Sequence, residues 1–185
     1  MALTKTPVCD FGKKAEDFKL KSIENKIISL NDVKGEKATL IMFICNHCPY
    51  VKAIIRDLAQ DCNELKKDGI NTVAIMSNDT KNYPEDSFDN MIKFAKANEF
   101  KEINYLIDET QEIERNYGAV CTPDFFGYNK ELKLEYRGRF RELKDLKPVS
   151  RGDSDLKIAM KMISETQAGP KEQVPSMGCN IKWFN

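Results

Sequence analysis

The chain reads as a single α/β domain built on a mixed β-sheet. Three observations predict this. Apolar runs of strand length alternate with amphipathic runs of helix length. Two of the runs, "ATLIMFI" (38–44) and "NTVAIMS" (71–77), are continuous rather than alternating, as strands covered on both faces are. Two consecutive strand-like runs, "PDFFGYN" and "LKLEYRG", share a turn around Asn129 and Lys130, which makes the sheet mixed rather than wholly parallel.

In chain order, "EDFKLKS" and "NKIISLND" alternate polar with apolar and predict short strands, an N-terminal extension ahead of the first buried strand. After that strand, Val51, Ile54, Ile55, Leu58, Ala59, Cys62 and Leu65 share one helical face, and Gly69 marks its stop. The polar connector "NDTKNYPED" follows the second buried strand. Asp86 or Ser87 could cap the next helix, which would bury Phe88, Met91, Ile92 and Ala95. "INYLID" predicts a short strand and "ETQEIERNYG" a short helix ending near Gly118. Asp153 or Ser154 starts a last helix through Leu156, Ala159, Met160 and Ile163. The tail (168–185) is rich in turn formers. With no internal repeat and no low-complexity linker, residues 1–185 are expected to form one domain.

Composition narrows the partners. Lys and Arg number 29, as do Asp and Glu, so neither nucleic acid nor an anionic membrane is favoured. The first residues, "MALTKTPVCD", carry no apolar signal core, and no run approaches the ~18 apolar residues of a membrane span. A cytoplasmic location is the expectation. In a reducing compartment, six cysteines imply catalysis, metal binding or core packing rather than structural bridges.

The chemistry concentrates in "FICNHCPYVKAII" (43–55). Cys45 closes a buried strand and Cys48 opens an amphipathic helix. A first helical turn presents free N–H groups and a partial positive charge, and both favour thiolate. Free cysteine titrates near ~8.5, whereas C-x-x-C thiols at helix starts span roughly 3.5 to 7. Pro49 suits the first turn, where no N–H partner is needed. His47 could tune the pair by charge or a hydrogen bond; the competing reading is an exposed bystander. Such a pair can attack a disulfide with one thiol and resolve with the other. Two alternatives stand beside it: two buried core thiols, or a zinc or copper(I) site with His47 or Cys121. No second C-x-x-C completes a four-cysteine site.

The segments "GKKAEDFKL…ISLNDVKGEKATLIMF", "CNHCPYVK", "SNDTKNYPED", "LIDETQEIERNYGAVCTPDFF", "YRGRF" and "PSMGCNIKW" together resemble the thioredoxin-like superfamily. The branch they are similar to is the peroxiredoxin-like group of the alkyl hydroperoxide reductase/thiol-specific antioxidant family. The resemblance implies a three-layer fold with helices flanking a central mixed sheet. It also implies a cis-proline loop facing the cysteines, here Thr122 and Pro123, whose backbone would pair with a substrate segment. The chain departs from peroxiredoxins in two ways. Cys45 stands where they carry a threonine, with Ile41 in place of their proline, and "AVCTPDFF" lacks their arginine, although Arg139 could approach in the fold. The resemblance therefore implies thiol–disulfide exchange, with hydroperoxide reduction as the alternative reaction and metal delivery as an alternative of another class. No cofactor is expected. Protein or small-molecule disulfides are the expected partners, with the thioredoxin or glutathione system as candidate electron partner. Thioredoxin resemblance makes Cys45 the exposed nucleophile and Cys48 the resolving thiol; peroxiredoxin spacing reverses them. The first assignment is the expectation.

Cys121, two residues before Pro123, is a candidate third thiol or a small packed residue. Cys179 is a candidate resolving thiol or a tail thiol in a patch where Trp183 packs. Cys62 lies on the apolar helix face and is expected in the core. Cys9 carries no signal.

Overall fold

The computed structural model describes residues 3–7 and 10–184. β1 (Leu3–Lys5) is followed by β2 (Lys19–Ser22), β3 (Ile27–Ser29) and the short α1 (Leu30–Val33). β4 (Ala38–Phe43), α2 (Pro49–Leu65), β5 (Ile70–Met76), α3 (Phe88–Ala97) and β6 (Ile103–Ile107) come next. Then come α4 (Glu112–Tyr117), β7 (Cys121–Thr122), β8 (Asp124–Asn129) and β9 (Leu134–Tyr136). β10 (Leu143–Lys144), β11 (Lys147–Pro148), α5 (Asp155–Thr166) and β12 (Met177–Asn180) end the order.

The main sheet runs β3-β2-β6-β5-β4-β8-β9, with β4 at its heart. β4 pairs parallel with β5 and antiparallel with β8, so the sheet is mixed as expected. All six residues of β4 are buried. Its alternate residues serve two cores: Ala38, Leu40 and Met42 pack with α2, α3 and α5, whereas Ile41 and Phe43 pack with α1 and α4. This helix–sheet–helix layering is the thioredoxin-like α/β fold. A three-stranded sheet, β1-β12-β7, joins the two ends of the chain to the strand before Pro123.

α2 starts where the sequence placed it. Cys48 is its N-cap and Pro49 its first residue, and the expected apolar face is buried. Gly69 stops the turn after it with φ +76°, a conformation that glycine adopts without strain. Ser154 caps α5 by accepting from Lys157 N. Three expectations are met only in part. Ile92 of α3 is 39% exposed and Phe88 only half-buried, because the helix lies on the sheet through Met91 and Ala95. Neither Asp86 nor Ser87 caps α3 with its side chain: Ser87 holds the cap position without a bond, and Asp86 turns inward. The tail is not only turns, since β12 runs through it, held between two strands.

An ion pair fixes the segment that leads into β8. Arg137 meets Asp124 at 3.1 Å, with 3% and 0% side-chain exposure, and also donates to Gly118 O at 2.8 Å. Asp124 accepts from Val120 N at 3.2 Å, which bridges β7 from both sides. Burial pushes the Asp124 carboxyl up to about 6 against the pull of Arg137. Asp124→Ala would strand a guanidinium that cannot lose its proton. Urea unfolding of that variant is expected to show a loss of about 3–5 kcal/mol; a loss within about 0.5 kcal/mol, ordinary for surface substitutions, would count against a structural pair.

Candidate active site

The backbone of β4 makes its last ladder bond from Ile44 N to Ile75 O at 3.0 Å, and the chain then turns through residues 45–48. Lys52 N donates to Cys48 O at 2.9 Å and closes the first turn of α2. Cys48 is thereby held at a helix start, where free N–H groups face its sulfur. Opposite stands the Thr122–Pro123 bond, which is cis. As a thiol, Cys48 donates to Thr122 O at 3.2 Å, and the Cys45 sulfur lies 3.4 Å from Thr122 Oγ1. A third thiol joins them: Cys48 Sγ is 3.0 Å from Cys179 Sγ.

This arrangement sorts the thiols. The Cys48 thiol sits well below the usual range, because as thiolate it accepts hydrogen bonds from Cys45, Cys179 and the N–H groups of Val51 and Cys179. Cys45 is pushed far up, first by holding its proton towards Cys48 and then by burial. Burial and the same donation push Cys179 up to about 12. The expected exposed nucleophile, Cys45, is in fact 1% exposed, and Cys48 is 0% exposed. Cys45 is covered because it continues a strand buried on both faces. The anionic character belongs to Cys48.

Cys179 does not sit in a Trp183 patch. Trp183 stacks under Arg115, 4.0 Å from the ring centroid, and packs with the core on the other face of the sheet. Cys121 is buried, and its thiol turns to Pro123 O at 3.6 Å, with burial pushing its pKa up. Cys62 is a core thiol pushed up to about 12 by burial. Cys9 lies outside the described residues.

His47 is no exposed bystander. Its Nδ1 lies 2.7 Å from Asp86 Oδ2, and its ring stacks on Tyr83 at 5.5 Å and 10°. Asp86 also accepts from Asn46 N and from Asn78 Nδ2, both at 2.8 Å. Tyr105 OH donates to Asn46 Oδ1 at 2.9 Å and fixes the side chain between the two cysteines. The bond to Asp86 raises the His47 pKa despite partial burial. Cys45, His47 and Asp86 bring ligand atoms within 4.8 Å of one another. That donor set is one short of a closed zinc site, and its carboxylate already accepts three hydrogen bonds.

Asp86, Asn78, Asn46 and Tyr83 escaped the sequence reading as site residues. Their only signal was the density of Asn and Asp directly after a buried strand. Arg137 is engaged by Asp124, and Arg139 by Asp155 at 2.6 Å. Among the described residues, no arginine hydrogen-bonds a site sulfur.

The model of the AhpC/TSA family matches residues 11–139. An uncharacterized conserved protein from Geobacillus kaustophilus is 38% identical over 100% of this chain and 97% of its own, with a TM-score of 0.94. A hypothetical protein from Sinorhizobium meliloti is 35% identical over 98% of both chains, with a TM-score of 0.90. A secreted Mycobacterium tuberculosis disulfide oxidoreductase is 17% identical over 63% of this chain and 79% of its own, with a TM-score of 0.54, and shares the fold. No curated protein matches the chain.

Two titrations check the electrostatics. Ultraviolet thiolate absorbance should appear below the ~8.5 of free cysteine, and Cys48→Ser should lose that low-pH component. NMR of the sole histidine should give a midpoint above ~6.5, falling in Asp86→Asn. The sign follows from the partner: a carboxylate favours imidazolium and a neutral amide does not.

Proposed function

The chain belongs to the AhpC/TSA family on a thioredoxin-like fold, and we propose that it works there as a thiol–disulfide oxidoreductase through Cys45 and Cys48. The observation that carries the reading is a C-x-x-C pair at a strand end and helix start, facing a cis-proline loop, with one thiol strongly acidified. Cys48 is the attacking thiolate. It displaces one sulfur of a partner disulfide and forms a mixed disulfide. That step removes the anion which held the Cys45 proton in place, so Cys45 ionises more readily. Cys45 then attacks the Cys48 sulfur, releases the second partner thiolate and closes a 45–48 disulfide. The thioredoxin or glutathione system would return the electrons, and redox homeostasis is the role in which such exchange serves.

Asp86 and His47 act on this pair as positioning residues. Asp86 anchors Asn46 N between the cysteines, and His47 brings a proton-bearing ring beside Cys45. Cys48→Ser should bring insulin-disulfide reduction to the uncatalysed rate, and Cys45→Ser should slow it markedly. Unchanged reduction by Cys45→Ser would sink the dithiol reading.

A second reading, hydroperoxide reduction, draws on the same acid thiol. Cys45 stands at the threonine position of peroxiredoxins and donates to Cys48 as a hydroxyl would. The thiolate would attack the peroxide, break the O–O bond, release an alcohol or water and become a sulfenic acid. Stopped-flow reaction with hydrogen peroxide decides it: a rate no faster than that of a free thiol rejects the peroxidase.

A further inference from the structure

β12 lies on the backbone edge that leads into the cis-proline. Cys179 pairs with Thr122 and Asn180 with Cys121, antiparallel. An extended peptide that sought this edge would find it filled. The fit is close and specific. A Cβ on Gly178 would fall 2.0 Å from the Thr122 carbonyl oxygen, so the strand approaches this near only through a glycine. Ser176 Oγ donates to Pro123 O at 2.8 Å, and Ser176 N to Thr6 Oγ1 at 2.9 Å. Beyond the strand, Lys182 N donates to Asn78 Oδ1 at 2.9 Å and Phe184 N to Gln111 Oε1 at 2.8 Å. These anchors on both sides set one sulfur of the strap against Cys48, at 3.0 Å. Two such sulfurs need to approach by only about 1 Å to bond.

We propose that β12 is an internal substrate strand and that Cys179 is a resolving thiol for Cys48, closing a 48–179 disulfide. The proposal rests on the reading of Cys48 as the attacking thiolate and adds a third redox thiol to it. The oxidant is a small disulfide, RSSR. With the strap lifted, the Cys48 thiolate attacks RSSR, the S–S bond breaks, a Cys48–SR bond forms and RS⁻ leaves. The strap returns, Cys179 gives its proton to the departed thiolate, and the Cys179 thiolate attacks the Cys48 sulfur. The Cys48–SR bond breaks, the Cys48–Cys179 bond forms, and a second RS⁻ takes a proton from solvent. Two protein thiols are oxidised and one disulfide is reduced to two thiols.

Oxidised glutathione is the probe, and tryptic mass mapping without reductant is the readout. Cleavage gives peptides 38–52 and 172–182, and in Cys45→Ser the first contains Cys48 as its only cysteine. That variant is expected to release two equivalents of glutathione and to link 38–52 to 172–182. Adding Cys179→Ser should abolish the link and slow the second release at least tenfold, leaving glutathione on Cys48. The wild type, which needs no altered chain to fold, should show the same link among its oxidation products. A Cys45→Ser protein that keeps its glutathione, together with no 172–182 link in the wild type, overturns the proposal. Insulin reduction by the wild type reads the dithiol proposal separately. If reduction persists and the link is absent, the tail proposal alone falls; if the link forms and reduction is absent, the dithiol reading falls.

Discussion

A single buried carboxylate holds the site together. Asp86 is 0% exposed, and its two oxygens accept from a backbone N–H between the cysteines, from His47 and from Asn78. Asn78 in turn accepts from Lys182 N in the C-terminal segment. Three stretches far apart in sequence therefore meet through Asp86 and its partner Asn78. A buried carboxylate is tolerable only when its lone pairs are so satisfied. Losing any one partner would leave a buried oxygen short of a donor and loosen the loop that presents Cys48. The geometry of the thiols is thus secured from behind, by groups that hydrogen-bond none of the three site thiols.

The thiols themselves illustrate how placement divides labour among identical groups. Cys48 gains donors from the helix start and from two neighbouring thiols, and so becomes the anion. Cys45 and Cys179 are held protonated by that same anion. Cys62, with burial as its main influence, stays an inert core thiol. Among these three packed cysteines the thiolate is favoured at Cys48, by donation from the Cys45 and Cys179 thiols together with the N–H groups of Val51 and Cys179, rather than by residue type.

How far the sequence reveals this depends on the range of the interaction. β4, α2 and the cysteines between them were legible, because apolar periodicity and a proline at the helix start are local signals. The mixed sheet was legible from two consecutive strand runs. Pro123 could be read only through family resemblance, since nothing local distinguishes a cis-proline loop. Asp86 read as a helix cap, because a capping Asp and an Asp turned into the core look alike in one dimension. Cys179 read as either a resolving thiol or a tail thiol, undecided for a similar reason. Its neighbour Cys48 lies 131 residues away, and the strand that brings it there is four residues long with a glycine inside it. So short a strand owes its existence to its two partners, not to its own propensity.

That strand has a further meaning for rates. β12 is the middle strand of its small sheet, bonded to β1 on one side and β7 on the other. Lifting β12 from Cys48 would break its ladder with β7, and that with β1 unless β1 moves along, and so would amount to a local unfolding reaction. However nucleophilic the sulfur beneath, its encounter with a reagent would then be metered by the opening frequency of this sheet. At high reagent concentration such a reaction would become first order, with a ceiling set by backbone hydrogen bonds rather than by sulfur.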